Sequence, residues 1–103
     1  MQMHNKKRIE LIIEKMAHKR ACRVLEAAGM TGYTVLPAMA GYGGGNRWNR
    51  ETDISASRDM VVIVSIGDED KIAEAMLQIS DILGDHIGVV SLSSVEVVRP
   101  DRF

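Results

Sequence analysis

The chain has 103 residues, of which 46% are apolar and 26% are charged, and its formal net charge is -1. A chain of this length forms one domain around one core, and the near balance of charges does not favour nucleic acid as a partner. No apolar run approaches the roughly 18–20 residues that span a bilayer, and the polar N-terminal segment lacks the apolar stretch of a signal peptide. We therefore expect a cytoplasmic protein without membrane insertion.

The first 39 residues predict a strand, a helix and a second strand. From Arg8 onward apolar and polar residues alternate with the period of two that is typical of a strand. From Ala17 the apolar spacing becomes helical, with Gly29 as the stop and Cys22, the only cysteine, as a small core residue. Residues 33–39 predict the second strand, and Pro37 favours an edge position because it lacks an amide hydrogen.

The segment from Ala40 to Asp59 loses all periodicity and is rich in glycine, which predicts a long loop. Such a loop inside so small a domain is uncommon unless it is functional.

The rest of the chain predicts a strand, a helix and a closing strand. The run that starts at Met60 is apolar on both faces, as expected for a buried strand. Asp68 is placed to cap a helix that ends at Gly84. Residues 89–92 and 94–98 then predict either one closing strand or a short hairpin.

This order of elements predicts an α+β fold, the ferredoxin-like βαββαβ sandwich, as a single domain over residues 1–103. Such a sandwich has helices on one face of its sheet only. Because the strand from Met60 is apolar on both faces, we expect the open face to be buried against another copy of the chain.

Three segments could hold an anion. In the loop, glycine backbone amides and the guanidinium groups of Arg47, Arg50 and Arg58 suit phosphate or carboxylate oxygens. The alternative for this loop is a solvated or protein-contact segment without a ligand. The turn from Leu83 to Gly88 suits either a phosphate or a plain helix end, and the basic tail over residues 99–102 suits either a ligand contact or a frayed terminus.

Sequence patterns for catalysis or metal binding are missing. His4, His18 and His86 are scattered along the chain, and no pair of carboxylates has the spacing of an acid–base pair. His18 and Cys22 lie four positions apart and could share one side of a helix, but Cys22 lies toward the core and further metal ligands are missing. We therefore expect no enzyme activity, no metal and no required cofactor. Two alternatives stay open: a small phosphohydrolase that uses Asn46 and Arg47 to orient water, and an adaptor without small-molecule affinity.

The order of elements and four short motifs resemble the PII signal-transduction proteins. The motifs are Ala28-Gly-Met-Thr-Gly-Tyr-Thr-Val, Ala40-Gly-Tyr-Gly, Leu83-Gly-Asp and Val95-Glu-Val-Val-Arg99. The resemblance implies a homotrimer with its sheets packed inward, adenine nucleotides in clefts between neighbouring subunits, and a signalling T-loop at about residues 40–59.

The resemblance also implies two sets of site residues. The nucleotide-binding set is Thr34, Gly41, Tyr42, Gly43, Arg58, Gly84, Asp85, His86, Gly88, Arg99 and Arg102. The loop that would bind bicarbonate, another anion or a protein partner contains Gly44, Gly45, Asn46, Arg47, Trp48 and Arg50. In the first set, Thr34 would line the adenine, and Arg99 and Arg102 would reach phosphates from the adjacent subunit.

Departures from the PII pattern narrow the expected function. Gly44 and Gly45 replace the family's glutamine that helps to bind 2-oxoglutarate through magnesium, and no tyrosine lies near the loop tip for uridylylation. His86 and Ile87 replace a lysine of the second phosphate loop. The chain thus most resembles the carboxysome-associated PII group, which implies ADP or AMP, and also ATP, as ligands, bicarbonate as a co-ligand, and a transporter or carboxysome component as partner.

Overall fold

The structure is a computed structural model that describes residues 1–43, 45–50 and 59–99. Six strands and two helices follow one another along these residues. In chain order they are β1 (His4–Glu14), α1 (Lys15–Ala27), β2 (Thr34–Pro37), β3 (Ala40–Gly43), β4 (Asn46–Asn49), β5 (Met60–Gly67), α2 (Glu69–Asp85) and β6 (Gly88–Val97).

Four strands form one antiparallel sheet in the order β2-β5-β1-β6, and β3 and β4 form a separate two-stranded hairpin. This is the ferredoxin-like βαββαβ order with a hairpin inserted between β2 and β5. The predicted α+β fold is therefore confirmed. Strand β2 lies at the edge of the sheet, as Pro37 predicts.

The core lies between one face of the sheet and the two helices. Every second residue of the central strands β1 and β5 points to this face, because strand side chains alternate between the two faces. On the helices, the apolar residues at three- and four-residue spacing meet them. The largest fully buried side chains are Ile9, Leu11, Ile13, Leu25, Ile63, Ile72, Ile79 and Ile82.

The other face of the sheet is open and carries a continuous apolar row. Leu36, Val62, Ile12 and Val89 lie side by side across the four strands. Leu36 is 49% exposed and Val89 is 58% exposed, at the two edges of the row. We call these four residues the apolar row; it explains why β5 is apolar on both of its faces.

The prediction of a structureless loop from Ala40 to Asp59 is wrong for its first part. Residues 40–43 and 46–49 pair as a hairpin, with Gly41 opposite Trp48 and Tyr42 opposite Arg47. Gly45, at the turn, has φ +82, which glycine adopts without the steric cost of a side chain. Glycines in β3 carry no side chain, so the alternation that marks a strand is not visible there.

The predicted end of α2 at Gly84 is wrong by one residue, and the structure decides between the two alternatives for the closing segment. Helix α2 continues through Gly84 to Asp85, and it ends where His86 takes up extended backbone angles. The closing segment is one strand rather than a hairpin, because β6 pairs with β1 from Gly88 opposite Ile13 to Val97 opposite His4.

Asp68 occupies the predicted N-cap position of α2, but its side chain makes no capping hydrogen bond. Its carboxylate instead accepts a hydrogen bond from the Lys6 ammonium group on β1. This hydrogen bond, with the charge of Lys6, holds the pKa of Asp68 below its usual range. The side chain therefore links the start of α2 to the sheet instead of capping its own helix.

Gly84→Ala is expected to raise the free energy of unfolding by about 0.5 kcal/mol, because alanine loses less backbone entropy than glycine in the last turn of α2. A Cβ at position 84 would have no heavy atom within 4 Å. Chemical denaturation followed by circular dichroism measures the change. Gly29→Ala is the contrasting variant and should destabilise, since Gly29 has φ +89 after α1. A destabilised Gly84→Ala protein would contradict a helix that continues through this position.

Candidate functional site

A cavity of about 710 Å³ opens on the free face of the sheet, where β1 ends and β6 begins. Its floor is apolar and includes Ile12, Met60 and Val62 from the central strands. One wall is the β3–β4 hairpin, and the opposite wall is the turn that leads from α2 into β6. The volume lies within the roughly 300–1,000 Å³ that small-molecule sites occupy.

The hairpin wall is held together by a contact between a glycine and an aromatic ring. The Trp48 indole lies so close to Gly41 that a Cβ at this glycine would come within 2.6–2.7 Å of three ring atoms. Only glycine therefore allows the indole to lie flat on the backbone of β3. Gly41, Tyr42, Gly43, Asn46 and Trp48 all line the cavity, so this contact shapes the wall itself.

Arg50 fixes the base of the hairpin. Its Nε donates a hydrogen bond to the carbonyl oxygen of Ala38 at 3.0 Å, and its Nη2 donates one to that of Met60 at 2.8 Å. The Arg50 amide also donates to the carbonyl oxygen of Met39 at 2.8 Å. In this structure the predicted anion-binding guanidinium thus ties the hairpin to β5.

The turn wall approaches the sheet closely at Gly88. A Cβ at this position would lie 2.7 Å from the carbonyl oxygen of Ile12 and 2.8 Å from Cδ2 of Leu83. A side chain here would push β6 away from β1. Gly88 and the preceding Ile87, which is largely exposed, both line the cavity.

Glu14, the last residue of β1, holds the turn from behind. Its carboxylate oxygen Oε1 accepts a hydrogen bond from the Ile87 amide at 2.7 Å and lies 3.6 Å from Nδ1 of His86. In the sequence Glu14 is only one more polar position in an alternating strand. The period of two does not indicate its burial, because Ile13 and Glu14 are adjacent and both are buried.

The predicted nucleotide-binding residues fall into separate parts of the molecule. Gly41, Tyr42, Gly43 and Gly88 line the cavity. Gly84 and Asp85 are exposed in the last turn of α2 and do not line it, and His86 lies beside Glu14.

Thr34 is exposed on the edge strand β2, opposite Val64 on the open face. Arg99 is exposed beyond the far end of β6. Arg58 and Arg102 lie outside the described residues.

The predicted anion or partner loop is divided in a similar way. Asn46 and Trp48 line the cavity, while Arg47 stands opposite Tyr42 in the hairpin and Gly45 forms its turn. Gly44 lies outside the described residues.

Cys22 is confirmed as a buried core residue, with 6% of its surface exposed. Burial is the main cause that raises the pKa of its thiol, so the unreactive protonated form is favoured.

Over residues 1–43, 45–50 and 59–99, no group of three or more His, Cys, Asp or Glu side chains could hold a metal ion. Neither helix in the described part of the chain has the length and apolar character needed to cross a membrane.

Gly41→Ala is expected to displace the Trp48 indole, because the new methyl group would overlap the ring. Trp48 is the only tryptophan, so its fluorescence emission maximum measures the displacement directly, and we expect a shift to longer wavelength as the ring becomes more exposed. The matched control is Gly43→Ala in the same strand, where a Cβ would meet nothing within 4 Å. Equal emission from both variants would contradict the contact.

Comparison with known proteins identifies the family of this chain. The family model described as nitrogen regulatory protein P-II matches residues 6–102. The structure is similar to that of CPII, a PII-like protein from Thiomonas intermedia K12 solved with ADP, AMP and bicarbonate, with a TM-score of 0.88, 22% identity, and coverage of 99% of this chain and 96% of that one. It is also similar to a PII-like signaling protein from Thermus thermophilus, with a TM-score of 0.81, 21% identity, and coverage of 100% and 99%.

These two likenesses establish a shared fold. No curated protein sequence matches the chain. The family match covers nearly the whole chain. The chain belongs to the P-II family of nitrogen regulatory proteins.

Proposed function

We propose that this P-II family protein is a regulator that binds an adenine nucleotide, ADP or AMP and also ATP, in clefts between the subunits of a homotrimer. The observation that carries the proposal is the cavity on the open face. It brings the glycine-rich strand β3 and the turn at Gly88, two of the three segments with anion-binding character, to the two sides of one apolar floor.

The chemistry of the cavity suits part of a nucleotide. Gly41 and Gly43 let phosphate oxygens approach the backbone closely, since these residues carry no side chain. Among the described residues that line the cavity, however, there is no lysine, arginine or histidine. A di- or monophosphate bound here therefore needs a cation from elsewhere.

Arg99 is the cation that we assign to this role, supplied by a neighbouring subunit. Strand β6 starts at the cavity with Gly88 and runs for 10 residues to Val97. At about 3.3 Å per residue, Val97 lies roughly 30 Å from Gly88, and Arg99 lies beyond Val97, far from the cavity of its own subunit. Only a second copy can bring this guanidinium to the phosphates, where it donates paired hydrogen bonds. Arg58 and Arg102 are proposed as further basic contacts.

The open face supplies the surface on which the copies pack. The apolar row leaves Leu36 and Val89 about half exposed on the sheet face opposite α1 and α2, and burial against like faces removes this surface from water. In the proposed homotrimer the three sheets pack inward. Thr34, at the edge of the same face, then lines the adenine.

The relatives support the choice of ligands. CPII from Thiomonas intermedia K12 has been solved with ADP and bicarbonate and also with ADP, AMP and bicarbonate. We propose that bicarbonate, a small planar anion, binds beside the hairpin through residues 43–47, and that the protein acts in inorganic-carbon metabolism in the cytoplasm.

In this proposal the hairpin is the element that responds to the ligand and contacts a protein partner. Ligand contacts with Gly43 and Arg47 change the order of residues 40–59, which present Trp48 to a transporter or a carboxysome component, while Arg50 anchors the hairpin to β5. A ligand can shift this equilibrium only through contacts that one state makes and the other lacks. The proposed regulator acts by binding and breaks no bond, so purified protein is expected to release no phosphate from ATP.

Arg99→Ala is expected to weaken ADP binding about tenfold or more, because a charge-assisted hydrogen bond contributes roughly 1.5–3 kcal/mol. Isothermal titration calorimetry on the purified oligomer measures the dissociation constant. Arg20→Ala is the matched control, since Arg20 is exposed on α1 and far from the cavity lining. Wild-type affinity in the Arg99 variant would remove this residue from the site, and a wild-type protein that binds no adenine nucleotide would refute the proposed function.

Leu36→Glu is expected to convert the trimer to monomers, because it places a carboxylate in the apolar row that the neighbouring sheets would bury. Size-exclusion chromatography with light scattering gives the mass of each species. Leu77→Glu is the control: Leu77 is 76% exposed on α2, so the same substitution there should leave the trimer intact. A Leu36→Glu trimer would show that the copies associate through another surface.

A further inference from the structure

We propose that Glu14 is a positioning residue for the ligand cavity, which acts by fixing the turn at Ile87 and Gly88. The inference rests on the proposed function, because it concerns the same cavity. Glu14 itself does not line the cavity, so any effect on a ligand passes through the backbone that it holds.

The geometry joins Glu14 and Ile87 by two hydrogen bonds of opposite direction. The Glu14 amide donates to the carbonyl oxygen of Ile87 at 3.3 Å, and Oε1 of Glu14 accepts from the Ile87 amide at 2.7 Å. The backbone bond continues the pairing of β1 with β6 by one position beyond Ile13 opposite Gly88, and the side-chain bond adds a second link at the same position. It thereby sets where the turn stands above the sheet.

The burial of Glu14 indicates that its carboxylate is needed for the hydrogen bonds that it makes. Only 7% of the residue is exposed, and a buried carboxylate is costly unless hydrogen bonds compensate for lost water. An apolar residue of similar size would fill the same space without that cost. The Ile87 amide lies beyond the end of α2, so it is not part of the hydrogen bonding within the helix. Its acceptor is the Glu14 carboxylate instead.

The same junction also touches the exit of the loop. The amide of Lys15, the residue after Glu14, donates a hydrogen bond to the carbonyl oxygen of Asp59 at 2.9 Å. Two neighbouring residues of the chain thus hold the turn on one side and the start of β5 on the other. The turn and the residue that precedes β5 are therefore both attached to the junction between β1 and α1.

The test compares two neutral substitutions of similar size. Glu14→Gln keeps an oxygen that accepts from the Ile87 amide, whereas Glu14→Met fills the space without an acceptor. We expect Glu14→Met to weaken ADP binding about tenfold in calorimetry and to speed hydrogen exchange at the Ile87 amide. Glu14→Gln should restore most of both. Glu74→Ala, which removes an exposed carboxylate from α2, is the control and should match the wild type.

The outcomes separate this inference from the proposed function. Equal ADP affinity in the Met variant and the wild type, or an unchanged Ile87 exchange rate, would overturn the role of Glu14. Equal losses in both variants, with faster exchange throughout the core, would show a merely structural residue and would also overturn it. If the wild type binds neither ADP nor AMP, the proposed function fails, while the exchange rate of Ile87 still decides whether Glu14 fixes the turn.

Discussion

The pairing of β1 with two neighbours is the constraint on which the rest of the molecule depends. Each residue from Lys7 to Ile13 has a partner in both β5 and β6, so the register of one strand sets that of the whole sheet. Because side chains alternate along a strand, this register also assigns Ile9, Leu11 and Ile13 to the helices and Ile12 to the open face. A slip by one residue would exchange the core with the outer surface.

The cavity follows from the place where this pairing stops. At the end of β1 the chain turns into α1, β6 begins beside it, and the hairpin leaves the neighbouring edge of the sheet. Three segments far apart in the sequence therefore meet around Ile12. The side chains of Arg50 and Glu14 hold the two walls through hydrogen bonds to backbone groups. Neither residue lines the cavity, yet both determine its shape.

Periodic features of the molecule could be predicted from the sequence, and local exceptions could not. The alternation in β1, the helical spacing before Gly29 and the edge position of Pro37 all rest on rules that act within a few residues. The sequence does not predict the hairpin, because the glycines of β3 have no side chains that could alternate between polar and apolar. The sequence does not predict the hydrogen bond of Glu14 either, because its partner is a backbone amide 73 positions away and sequence patterns of this kind act over a few residues.

The distance between Arg99 and the cavity of its own subunit has a consequence for how the proposed sensor responds. A site whose floor and cation come from different chains does not exist in a lone subunit, so ligand affinity and assembly are thermodynamically linked. Nucleotide would then favour association, and dilution would weaken nucleotide binding. In the proposed trimer each chain would also serve two sites at once, so occupation of one site would act directly on a subunit that helps to build the next.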